Sequence, residues 1–129
     1  MAFEVEEIPS DARLFLRVHE QQYVVASDEP NGKKRLSSVC FRHENLSVNW
    51  EKYSSPEKTA NPFSAVVVEL VASECKSLNQ TVKHCPIQEG EKDGPNQAHS
   101  EIRGPKSKAT RYEFVRISKI VWFRDHPPV

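Results

Sequence analysis

"SAVVVELV", residues 64–71, is the most apolar run of the chain, and its reading decides the fold. The run is β-branched and too short for a buried helix, so it reads as a central strand. Only Glu69 interrupts it, which marks a strand covered on both faces. Glu69 must then lie at an edge or find a cationic partner, because an unpaired buried carboxylate is costly.

Upstream, "SSPEKT" (54–59) carries a helix start: Ser55 as N-cap, Pro56 at the first helical position and Glu57 in the first turn. Asn61-Pro62 stops that helix early. "LSSVCF" (36–41) and "LSVNW" (46–50) read as two short strands, and Asn31-Gly32 as a turn. "ARLFLRVH" (12–19) alternates Leu14, Leu16 and Val18 with Arg13, Phe15, Arg17 and His19, the period of a strand.

Downstream, "SECKSL" (73–78) forms one helical turn capped by Ser73. "TVKHCPI" (81–87) is a strand that Pro86 ends, followed by the polar loop 88–97 and an extended segment 98–102. Ser107 caps a helix predicted from about Lys108 to Ile120, although that stretch also alternates partly as a strand. The tail "DHPPV" reads as frayed. The sum is an α+β fold: a small mixed sheet of short strands, two short helices and a C-terminal helix packed on it.

At 129 residues the chain fits one domain over 1–129, with an ordered core from about 12 to 123. Hydrophobic residues make up 37%, enough for a modest core and more than a disordered chain carries. Net charge is zero, which gives the whole chain no bias towards nucleic acid or membrane. Seven Lys/Arg nevertheless cluster between Arg103 and Arg124 against the single acid Glu113. Glu4, Glu6, Glu7 and Asp11 supply counter-charge, so a solvated face is the plainer reading and an anionic partner the sharper one. Cys40, Cys75 and Cys85 are odd in number and widely spaced, which argues for reduced core thiols and against a disulfide framework. No long apolar run or secretory pattern is present, so the expected compartment is the cytoplasm, without membrane contact.

Histidines are the main carriers of chemistry here. Arg17 and His19, two apart on a strand, share one face and could line a pocket rim, with Arg17 as an anion clamp. His84 and His99 flank the loop 88–97; a loop that closes on itself could bring both to one spot. Ser37, Ser38, Ser47 and Ser100 sit beside strand candidates, where hydroxyls could bind a phosphate or carboxylate, although such serines more often cap the backbone. A metal would need a further ligand, and neither His43 nor Glu101 has diagnostic spacing, so no metal or cofactor is assigned. Cys85 adjoins His84, but strand neighbours point to opposite faces, so that pair forms no nucleophile–base couple.

The ordered landmarks "RVH" (17–19), "SSVCF" (37–41), "LSVNW" (46–50), "SSPEKT" (54–59), "HCPI" (84–87) and "NQAHSEI" (96–102) resemble a family of small bacterial proteins. That family has an Arg-x-x-His start, shortened here to Arg17-Val18-His19, a Leu-Ser-Val strand and a C-terminal Ala-His-Ser element. The resemblance spans residues 13–121 and implies a compact bacterial cytoplasmic domain. The family has no known activity, so it lends no residue a role. A fainter likeness to ADP-ribosyltransferase-like folds gives Arg17 or His19, Ser38 and Glu101 parts around a nicotinamide ribose.

The expectation is a small ligand- or partner-binding domain, an accessory component of a multi-gene bacterial system. Its site residues are Arg17, His19, Ser38, His84 and His99, taking a protein partner or a small anionic ligand. The alternative is a nucleotide-processing enzyme using Arg17/His19 and His99. Nucleic-acid binding would need an aromatic-and-basic platform that the sequence lacks.

Overall fold

Eight strands and three α-helices account for the regular structure of the described residues: Arg13–His19 (β1), Tyr23–Val25 (β2), Lys34–Leu36 (β3), Asn45–Trp50 (β4), Pro56–Thr59 (α1), Ser64–Val71 (β5), Ala72–Ser77 (α2), Thr81–His84 (β6), His99–Arg103 (β7), Lys108–Ile117 (α3) and Lys119–Phe123 (β8). The computed structural model describes residues 2–25, 34–92 and 94–124. The Asn31-Gly32 turn and the frayed tail of the sequence reading fall outside these.

The fold is α+β, as expected. Its main sheet has six strands in the order β6-β7-β4-β1-β5-β8, and β2 and β3 form a separate hairpin-like pair. A mixed sheet is expected from the sequence; all described ladders are instead antiparallel. The reason is local: β6 and β7 close a hairpin, and β8 returns beside β5 straight after α3.

β5 lies inside the sheet between β1 and β8, with Val66, Val67, Val68 and Leu70 fully buried. Glu69 takes the cationic-partner option: its carboxylate lies 3.9 Å from Arg13, and Lys119 is its ladder partner. The ladder registers put Leu14, Leu16 and Val18, Val48 and Trp50, Val66, Val68 and Leu70, and Ile102 on one face. That face carries the core with Cys75, Phe41 and Phe114, the last two rings stacked 5.3 Å apart.

Three local expectations change. Residues 38–41 form a 3-10 turn rather than a strand, because the Ser37 hydroxyl accepts the Val39 N–H and starts a turn. Val71, not Ser73, stands at the N-cap of α2. The C-terminal helix stops at Ile117, where Ser118 turns to an extended φ of −76° and ψ of 149°, and residues 119–123 join β5 as a strand.

The opposite face of the sheet positions the site. Phe15 and Arg17 of β1, Ser47 and Asn49 of β4 and His99 of β7 share it by register. α1 packs across its β1–β5–β8 side. The β6–β7 hairpin rises at the other end, where Ile87 and Asn96 close an isolated bridge. Between these two walls the sheet stays open.

Candidate functional site

A groove of about 450 Å³ occupies that opening, lined by Arg17, Ser47, Asn49, Thr59, Asn96 and His99 among others. The volume lies within the range of small-molecule sites. Its floor is a polar relay. Asn49, only 5% exposed, donates to the Thr59 hydroxyl at 3.1 Å and accepts from the Asn96 amide at 2.9 Å. Asn96 in turn accepts the Ala98 N–H at 3.1 Å. One strand residue thus pins both walls, because a buried amide must satisfy its donor and acceptor together.

His99 stands on the hairpin side. Its Nδ1 donates to the Cys85 carbonyl at 2.8 Å, which leaves Nε2 as an acceptor, and the Ser47 hydroxyl lies 3.3 Å from it. The carbonyl therefore fixes the tautomer and aims the lone pair at Ser47. His99 thus fastens the loop through a carbonyl and lines the groove with Arg17 as well.

Arg17 supplies the charge. It is exposed and has no hydrogen-bond or ion-pair partner among the described residues. Several other cations of β1 and the C-terminal segment are occupied. Arg13 meets Glu51 and Glu69, Arg103 meets Glu101, and Arg116 meets Glu113. Lys106 donates to the carbonyls of Glu44, Ile102 and Gly104 at 2.9–3.0 Å. Arg124 donates to the carbonyls of Ser64 and Asn61. Much of the basic cluster thus spends its donors inside the chain.

Three residues of the expected site lie elsewhere. His19 does not join Arg17 at the groove: the β1–β5 register breaks between Val18 and His19. Its ring stacks on Phe63 at 6.1 Å and its Nδ1 caps a 3-10 turn by accepting the Gln21 N–H at 3.1 Å. Ser38 lines a different groove with Val24, Leu36 and Tyr112. A constellation of Arg17, Ser38 and Glu101 is therefore not assembled.

His84 does not converge with His99. The loop does close, but the hairpin register sets His84 opposite Ser100, one residue away from His99 and so on the core face. There His84 is buried beside Trp50, accepting the Glu6 N–H at 3.0 Å and donating to the Gln97 carbonyl at 2.7 Å.

The same rule brings Cys85 to His99, with Sγ 3.6 Å from Nδ1. Burial pushes the Cys85 thiol up from its ordinary range, and the Glu101 carboxylate adds to the shift. A thiol held protonated is a poor nucleophile, so cysteine catalysis does not follow. Cys40 and Cys75 are buried and pushed by burial to about 12.

No family model, curated protein or solved structure matches this chain. The chemistry of the groove is what remains to read. Sequence reasoning named Ser47 only among the strand-side hydroxyls and missed Asn49, Thr59 and Asn96. The available signal was Ser47 and Asn49 at alternate positions of "LSVNW", a polar stripe on a strand beside Arg17's own.

Proposed function

We propose that the chain is a small binding domain whose open sheet face takes an anionic ligand. Arg17 anchors the charge, and the polar groups around His99 and Ser47 orient the ligand. The observation that supports this is the Arg17 guanidinium, exposed at the groove beside the Ser47–His99 pair and without a partner among the described residues. Guanidinium matches carboxylate and phosphate by two parallel hydrogen bonds.

Calorimetric titration with phosphate, di- and tricarboxylates and nucleoside phosphates tests the reading. Arg17→Gln is expected to weaken the best ligand about 10- to 100-fold, the worth of a charge-assisted hydrogen bond, with unchanged thermal melting. Equal affinity in Arg17→Gln and the unaltered chain would remove Arg17 from the site.

The oriented Ser47–His99 pair favours a second reading, hydrolysis of an ester of such an anion. Ser47 Oγ would attack the acyl carbon while its proton passes to His99 Nε2 and then to the departing alcohol; water releases the acyl group. Turnover of anionic esters that Ser47→Ala abolishes would establish it, and binding without turnover leaves the first reading.

A further inference from the structure

"AHSEI" (98–102) places His99 and Glu101 two apart on β7, hence on one face of the strand. The register of the hairpin adds Cys85 from across the turn: its N–H donates to the His99 carbonyl at 3.1 Å. Among the described residues, Cys85, His99 and Glu101 each bring one ligand atom within 4.8 Å of the others. We propose that these three side chains form a binding site for a thiophilic divalent cation, of which zinc is the fitting example.

The distances favour it. A tetrahedral zinc with ordinary bond lengths holds its sulfur and nitrogen ligands about 3.6 Å apart. The Cys85 Sγ to His99 Nδ1 separation is already 3.6 Å, and a cation between them needs the ring to turn off the Cys85 carbonyl. Three protein ligands, two on β7 and one just past the end of β6, leave a fourth position open, the form of a reactive rather than a closed structural centre. Soft thiolate, imidazole and carboxylate together suit zinc better than magnesium or calcium.

The charges around the site are mixed. A divalent cation between the Cys85 thiolate and the Glu101 carboxylate would balance two negative groups held side by side. Arg103, 2.8 Å from one Glu101 oxygen, now supplies the positive charge, and Lys83 is the ladder partner of Glu101. Both oppose the incoming cation, so binding requires the second Glu101 oxygen and the thiolate together. Thiol deprotonation makes binding tighten as pH rises.

Loading the site rewires the imidazole. Nδ1 exchanges its proton for the metal and gives up the Cys85 carbonyl, so the ring proton moves to Nε2. Nε2 then donates towards Ser47 instead of accepting from it. A loaded site thus presents an additional N–H to the groove and cannot serve as a base for Ser47. The cation site itself does not depend on the groove having a ligand.

Cobalt titration of the reduced, metal-free chain tests the proposal, since cobalt–thiolate bonds give a near-ultraviolet charge-transfer band. The band is expected to saturate at one equivalent, to vanish on zinc addition and in Cys85→Ser, and to need at least about tenfold more cobalt in Glu101→Gln. Zinc should also shield Cys85 from iodoacetamide in the unaltered chain, read by peptide mass mapping, a measurement that needs no variant. No band and no shielding, or a band that persists in Cys85→Ser, overturns the site.

Discussion

His84 and His99 show how one register step separates structure from chemistry. His84 has both ring nitrogens engaged and its ring against Trp50, so it belongs to the core. His84→Ala is expected to cost about 1–3 kcal/mol, from the polar partners it would leave unsatisfied, as read by urea denaturation. His99→Ala should cost less, because the groove admits water to the exposed partners. Neither fate is written in the sequence: both residues are histidines beside the same loop, and only the hairpin register assigns their faces. Cys75 gives a second measurement. Its folded thiol titrates at about 12 against an ordinary 9.0. Between those values the folded chain keeps a proton that the unfolded chain loses, so stability falls as pH rises through that window. Denaturation midpoints at pH ~8 and ~10.5 should diverge, and Cys75→Ala should reduce the divergence.

At the scale of the element, the hairpin of β6 and β7 is the wall on which both sites depend. A Cβ added at Gly94 would stand 2.4 Å from the Gln88 carbonyl oxygen. Gly94→Ala is therefore expected to displace Asn96 and weaken groove binding, while buried Cys40 and Cys75 stay protected from alkylation. Protection lost at Cys40 and Cys75 would show global damage instead. The N-terminal segment is fastened to the same region, with Phe3 and Gln88 exchanging two hydrogen bonds and the Glu6 carboxylate meeting Lys52 and Tyr53. The Lys52 ammonium first, then the Tyr53 hydroxyl, holds the Glu6 carboxyl below its usual range. That contribution is present at neutral pH and lost as pH falls through the folded value, so acid should loosen this segment early, visible as faster hydrogen exchange at Phe3 and Glu6. Local signals show which elements were legible. Ser55-Pro56 and Ser107 capped helices as read, and β5 announced itself by composition. The stretch from about Lys108 to Ile120 carried both periods, and the free edge of β5 decided for strand from Lys119.

For the whole molecule, the sequence discloses an α+β domain with one hydrophobic sheet face, because apolar alternation in residues 12–19 and the run 64–71 fix what must be buried. The groove was only half legible. Arg17 and His99 were singled out, yet their meeting depends on β4 lying between β1 and β7, and strand order has no local signature. The same order has a consequence for how the chain is made. β1 is synthesised before both of its sheet neighbours, β4 and β5. It emerges from the ribosome with two hydrogen-bonding edges open and Leu14, Leu16 and Val18 uncovered until residue 71 has followed it out. Nascent chains halted before β5 should remain protease-sensitive and attract holding chaperones, whereas chains extended past β8 should resist digestion. The strand that organises the finished sheet is, during synthesis, the one that must wait with both edges unpaired.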